Sequence, residues 1–209
     1  MKTLRVKITF LEDILGTLPS NDDVYREFIG SKSPDAATIE EEVAALGVDE
    51  MVEKGTTVFP RTEAGALFLY DYQVKGFFKD SCSALSRVAE KDPVTKKKKP
   101  CNESSKLTAY KKIIDGLIFV EPRQIVLETD KPITLCQRPL RAQTAQGERV
   151  ALASSESVAA GAVAVFEVIC FSDEHEAAVR EWLDYGRWKG IGQWRNSGKG
   201  RFLWEEIAE

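Results

Sequence analysis

Residues 162–186 read AVAVFEVICFSDEHEAAVREWLDYG, and the change of period inside this stretch decides the fold. Ala162–Cys170 is apolar at nearly every position, the pattern of a central strand buried on both faces. Ser172 then offers a side-chain oxygen to the first amides of a helix. Asp173, Glu174 and Glu176 fill that helix's first turn, where the helix dipole favours negative charge. Val179, Trp182 and Leu183 make its apolar stripe, and Gly186 takes the position after its end. Beyond it, Arg201–Trp204 has the pattern of a short closing strand.

The other end of the chain supplies a matching element. Leu4, Val6, Ile8 and Phe10 alternate with Arg5, Lys7 and Thr9, as in a strand buried on one face. Helices are expected at Asp22–Ile29 and, after a loop at Ser31–Pro34, from the capping box Thr38/Glu41 through Ile39, Val43 and Leu46 to Gly47. Residues 56–59 and 66–69 are short apolar runs around Pro60 and Gly65 that suit a hairpin. Asp71–Glu90 is expected to be helical, with Val74, Phe77, Phe78 and Cys82 on one side. Lys91–Ser105 is the most loop-like stretch and holds the run Lys96–Lys99; Ser105–Leu117 returns to helix. Gln124–Leu127, Thr134–Gln137 and Arg149–Ala153 are candidate strands. The order predicts an α+β chain with a ferredoxin-like (RRM-like) βαββαβ core. That core is expected from 1–60 and 156–209, with 61–155 as a large inserted α/β segment carrying the basic loop 91–105.

Composition sets the outer bounds. With 209 residues, 43% of them hydrophobic, the chain can bury one sizeable core or two small ones. No apolar run nears the ~20 residues of a membrane-spanning helix, and Met1-Lys2-Thr3-Leu4 leads straight into a strand pattern. The expectation is a cytoplasmic protein with no leader peptide and no membrane partner. The net charge of -4 is unevenly spread: residues 1–60 hold 12 acids and 6 bases, residues 61–120 hold 7 acids and 12 bases. A local basic field survives under the acidic average, and local field governs nucleic-acid binding. Cys82, Cys101, Cys136 and Cys170 form no C-x-x-C pair, and His175 is the only histidine. No metal site, cofactor or disulfide is expected from that spacing, and Cys170 reads as a buried strand thiol.

The chemistry concentrates in residues 186–202, GRWKGIGQWRNSGKGRF. Gly186, Gly190, Gly192, Gly198 and Gly200 alternate with Arg187, Lys189, Arg195, Lys199 and Arg201, and Trp188 and Trp194 stand among them. Glycine lets a phosphate approach backbone N–H groups, lysine and arginine neutralise it, and tryptophan gives a base a face to stack on. The spacing is neither a Walker A loop nor a Rossmann turn, since this loop follows a helix and precedes a strand. The nearest acids in sequence, Asp184 and Glu205, lie outside it, so the five cations are not all expected to pair with protein acids, and an anion is their natural partner.

A last strand–helix pair followed by Gly190-Ile191-Gly192 and then Asn196-Ser197-Gly198-Lys199-Gly200-Arg201-Phe202 resembles the C-terminal glycine-rich loop of the RAMP superfamily of CRISPR-associated RNA-binding proteins. Phe68–Ser83, with Lys75-Gly76 inside it, is similar to the Lys-Gly region of many members. The resemblance implies single-stranded or guide RNA as a partner, alongside CRISPR effector subunits in antiviral defence. It also implies an RNA site built from Arg187, Trp188, Lys189, Gly190, Gly192, Trp194, Arg195, Ser197, Gly198, Lys199, Gly200 and Arg201, with Lys75.

Processing members of that superfamily cleave RNA with a histidine, but His175 shares a helical stripe with Val179 and Trp182, which fits a structural role. Asp71, Asp80 and Asp92 are available and no motif selects one. The expectation is binding without turnover and no catalytic residue. Two other readings stand beside it. One is a phage-encoded anti-defence protein (an anti-CRISPR) that imitates such a subunit or binds a host partner or nucleotide; the other is a protein–protein module without RNA.

Overall fold

The computed structural model describes residues 1–20, 56–88, 90–91, 98–144 and 147–208. The helices expected at 22–29 and 38–46, the loop 31–34 and Lys96–Lys97 lie outside the described residues. In chain order the elements are β1 (Lys2–Phe10), β2 (Ile14–Leu15), β3 (Leu18–Pro19), β4 (Thr57–Val58), β5 (Phe68–Tyr70), α1 (Asp71–Leu85), β6 (Glu90–Lys91) and β7 (Lys98–Lys99). There follow α2 (Glu103–Lys106), α3 (Tyr110–Leu117), β8 (Ile118–Glu121), β9 (Gln124–Glu128), β10 (Thr134–Thr144), β11 (Gly147–Val158), β12 (Val163–Cys170), α4 (Asp173–Tyr185), a 3₁₀ turn Arg195–Ser197, and β13 (Phe202–Glu206).

The alternation of β1 is used as expected. Leu4, Val6, Ile8 and Phe10 are buried, and β1 runs antiparallel to β12 from Lys2↔Cys170 to Thr9↔Val163. On its other side β1 pairs antiparallel with β13, Ile8 opposite Trp204. β8 pairs antiparallel with the Cys170 end of β12 and β9 with its Val163 end. The sheet order β13-β1-β12-β8, with α1 between β1 and β8 and α4 between β12 and β13, is the ferredoxin-like βαββαβ arrangement.

The unit is drawn from a wider span than the expected division at 60 and 155. Its first helix, Asp71–Leu85, and its second strand, Ile118–Glu121, come from inside 61–155. The additions sit in three places: between β1 and α1, between α1 and β8 (β6, β7, α2 and α3), and between β8 and β12. The physical reason is local. α1 aims Val74, Phe77, Phe78 and Cys82 at the sheet, so only its apolar stripe tells it apart from an inserted helix. In the third addition, the two expected short strands are parts of one long hairpin, Thr134–Thr144 against Gly147–Val158, which heads a second sheet of order β10-β11-β4-β3.

Four further expectations change. The helix expected over Asp71–Glu90 ends at Leu85, and Glu90 pairs in β6. β12 is buried on one face only: Ala164, Phe166, Val168 and Cys170 are buried while Val163, Val165, Glu167 and Ile169 are half-buried on the open face. The helix expected over 105–117 is broken, because Asn102 caps the short α2 by accepting from the Ser105 amide and Ala109 turns left-handed at φ 54° before α3. Within the expected loop 91–105, β6 and β7 pair antiparallel.

α1 and α4 cover one face of the main sheet. Trp182 of α4 is fully buried against Phe78 of α1, ring centroids 5.5 Å apart, and Phe202 of β13 packs against Phe77 and Phe10. Deleting a ring of this kind costs about 3–5 kcal/mol. Trp182 Nε1 donates to Ser104 Oγ (2.9 Å), which donates to Glu181 Oε2 (2.6 Å), so the buried indole N–H is satisfied and α2 is tied to α4.

Candidate nucleic-acid interface

The glycine-rich loop begins where α4 ends. Gly186 is the helix's C-cap in right-handed conformation rather than a left-handed residue beyond it; glycine is needed for room, since a Cβ there would lie 2.4 Å from the Phe202 ring. The chain then crosses itself. The Ile191 amide donates to the Gly200 carbonyl (3.0 Å), and the Gly200 amide donates to the Asp13 carbonyl (2.8 Å). At this crossing a Cβ on Gly190 would lie 2.1 Å from the Lys199 carbonyl oxygen, and one on Gly200, at φ +70°, 1.9 Å from the Ile191 carbonyl oxygen. These two glycines are there so that two backbones can touch. Gly198, at φ +86°, closes the 3₁₀ turn, in which Ser197 Oγ donates to the Trp194 carbonyl.

Three of the loop's five cations have acidic partners, and all three partners lie far away in sequence. Lys199 pairs with Asp13 (2.7 Å), Arg201 with Glu12 (2.8 Å), and Arg195 with Asp80. Glu12 and Asp13 follow β1, and Asp80 lies on α1, so proximity in sequence could not show them. The nearer acids are engaged elsewhere, Asp184 by Trp204 Nε1 and Glu205 by Lys7. The hydrogen bond from Lys199 holds the Asp13 carboxyl below its ordinary 3.8, with a backbone hydrogen bond from Ala160 adding to it; in return Lys199 is raised above 10.5.

What the loop presents outward is a smaller set. Trp188 is 68% exposed and Trp194 39%. The Arg187 guanidinium lies 5.3 Å from the Trp188 ring centroid. Among the described residues neither Arg187 nor Lys189 has an acidic partner. Trp194, left-handed at φ 55°, is stacked by Arg138 of β10 at 4.8 Å, and Arg138 Nη2 donates to Gln193 Oε1 (3.1 Å). Arg138 was not legible as a site residue, because the long hairpin brings it over the loop from 55 positions away. Its Nε and Nη1 are buried without a hydrogen-bond partner.

Lys75 and Gly76, neighbours in sequence, line different hollows. Gly76 shares a cavity of about 340 Å³ with Gly192, Arg195, Gln73 and Asp80, beside the loop. Lys75 lines one of about 620 Å³ on the open sheet face, where its ammonium lies 5.0 Å from the Phe119 centroid and donates to the Asp115 carbonyl. His175 is buried beside Ala178 and Val179, and its Nδ1 has no hydrogen-bond partner. Asp71 pairs with Arg123 and Asp80 with Arg195; Asp92 lies outside the described residues. Among the described residues no three His, Cys, Asp or Glu side chains gather as metal ligands, and no helix is long and apolar enough to cross a membrane.

No family model matches the chain, and no curated protein matches it. Among solved structures it is similar to a chain of a Type III-B Cmr-beta complex bound to cognate target RNA, determined by cryo-EM. The TM-score is 0.49 at 11% identity, over 99% of this chain and 60% of that one. This chain thus spans less than two thirds of that chain's length.

Proposed function

We propose that the chain binds single-stranded RNA as a RAMP-like subunit, holding guide or other RNA within or against a CRISPR-type effector complex. One observation carries the reading. A loop pinned by a glycine crossing and three ion pairs displays two exposed tryptophans beside two cations that lack acidic partners. A rigid display of ring faces and unneutralised charge suits a strand whose bases stack and whose phosphates need counter-charge. Arg187, Trp188, Lys189 and Trp194 make the contacts. Arg195, Lys199 and Arg201 hold the loop's shape, and Gly190, Gly198 and Gly200 let it fold on itself.

The test is binding of a single-stranded oligonucleotide at several salt concentrations. Changing Arg187 and Lys189 together to Ala removes two phosphate contacts, so the slope of log K against log salt flattens by roughly 1.4. Trp188→Ala weakens binding by ~1–3 kcal/mol with no change in slope, because stacking releases no counterions. A double variant with the parent's affinity and slope overturns the site. The chain is proposed to bind without cleaving; the burial of His175 supports this, and the His175→Ala protein should then leave RNA cleavage by the preparation unchanged.

A further inference from the structure

The open face of the main sheet carries a second cavity, of about 620 Å³, at a gap in the strand pairing. β12 pairs with β8 from Glu167 onward and with β9 only up to Ala164, so the backbone of Val165 and Phe166 borders the hollow without a partner strand on that side, with the Val165 side chain on the open face and that of Phe166 in the core. The cavity is large enough for a small ligand. Val165, Pro122 and the exposed ring of Phe119 give it apolar lining.

Across the floor runs a row of three charges on adjacent strands. Arg5 of β1 is opposite Glu167 of β12, and Glu167 is opposite Glu121 of β8. Two carboxylates directly opposite each other are an unfavourable cross-strand pair. Among the described residues none of the three side chains makes an ion pair or hydrogen bond. The row therefore presents acceptors next to a donor fork, about one strand spacing of ~4.8 Å apart, beside a stacking surface. Lys75, Asp71 and Arg123 also line the cavity; Arg123 is paired with Asp71, which leaves Lys75 as the cation there without an acidic partner among the described residues.

We propose that this cavity takes a guanine base, from a free nucleotide or from a nucleotide splayed out of a single strand. Guanine carries two adjacent donors, N1–H and the 2-amino group, which meet a carboxylate edge-on. Its O6 and N7 are the acceptors that an arginine fork recognises. Adenine and cytosine set an acceptor beside their amino group, and uracil sets its one N–H between two carbonyls, so each turns a lone pair toward Glu167. The base stacks against Phe119 as bases do on exposed aromatics of sheet faces, and the Lys75 ammonium, 5.0 Å from that ring's centroid, meets the phosphate.

The free-nucleotide arm of the test stands apart from the loop reading; the strand arm rests on it. Protein is titrated calorimetrically with the 5′-monophosphates of guanosine, adenosine, cytidine and uridine. It is then titrated with a uridine decamer carrying or lacking one central guanosine. The expected result is a preference for guanine of about tenfold or more in at least one arm, lost in Glu167→Gln, which keeps the side chain's shape. Arg5→Gln, at an exposed position, should lose it too. Arg187→Ala with Lys189→Ala should weaken the uridine decamer while leaving the guanosine-to-uridine ratio unchanged. Preference in the monophosphates places the source as free nucleotide, and preference in the decamer alone as RNA. Equal binding of all bases in both arms overturns the proposal, whatever the loop variants do. So does an arginine-rich peptide that binds where guanosine monophosphate does not and is weakened by Glu167→Gln, which would make the carboxylate pair a protein-docking site.

Discussion

Gly200→Ala tests the view that the loop's glycines serve a backbone crossing before they serve any ligand. The added Cβ would sit 1.9 Å from the Ile191 carbonyl oxygen, at a residue with φ +70°. The left-handed conformation alone costs an alanine roughly 1–2 kcal/mol. Relieving the overlap means giving up the hydrogen bonds from Ile191 N–H to the Gly200 carbonyl and from Gly200 N–H to the Asp13 carbonyl. Each is worth about 0.5–1.5 kcal/mol, so the loss comes to about 2–5 kcal/mol. For a chain of this size that lowers Tm by roughly 4–20 °C. Gly76→Ala is the counter-case. Gly76 lies inside α1 with open space where its Cβ would go, so alanine there should stabilise by about 0.5–1 kcal/mol. Urea denaturation followed by far-UV circular dichroism reads both. A Gly200→Ala protein within 0.5 kcal/mol of the parent, by the ~1 kcal/mol scale on which such effects are judged, refutes the crossing as the reason for the glycine. Equal destabilisation by the two alanines would do the same.

The Asp13–Lys199 pair gives a pH dependence of known sign. Asp13 lies below its ordinary 3.8 in the fold, so its contribution is present above that value and lost as pH falls through the lower folded value. Lys199 is raised above 10.5, so its contribution is lost only as pH rises past that. Lys199→Met should flatten both limbs of the stability–pH curve, and an unchanged acid limb would discount the pair. Burial pushes the Cys82 and Cys170 thiols up to about 11, while Cys101 is exposed. Iodoacetamide at pH 8 should therefore label Cys101 on the native protein and reach Cys82 and Cys170 only in urea, as read by mass spectrometry; equal rates would contradict the packing. Asp80→Ala frees Arg195 from its ion pair, so the salt slope for a single strand should steepen by about 0.7 if Arg195 then meets a phosphate; a flatter slope would argue against this position of the strand.

Much of the fold was readable in local pattern. The alternation of Leu4, Val6, Ile8 and Phe10, the apolar run through Cys170, the Ser172 cap and the stripe Val179–Trp182–Leu183 each depend on neighbours within one or two turns. His175 falls on the buried stripe its spacing indicates. For the tryptophans, periodicity spoke only for Trp182 and Trp204, which lie in the core and packed on it; the outward turn of Trp188 and Trp194 came from the tertiary structure. Apolar content alone misled over the open face of β12, because half-buried valines and isoleucines look in sequence like buried ones.

The sequence by itself determined which segments are strands and helices at both ends, and that glycine, charge and tryptophan coincide in one loop. Those properties follow from hydrogen bonding and side-chain periodicity over a few residues. Only the tertiary structure decided which of the loop's cations remain available. Arg201 meets Glu12 across 189 positions, Lys199 meets Asp13 across 186 and Arg195 meets Asp80 across 115, while Arg138 arrives on the long hairpin to cover Trp194. An ion pair depends on distance in space, and chain folding sets that distance independently of separation along the sequence.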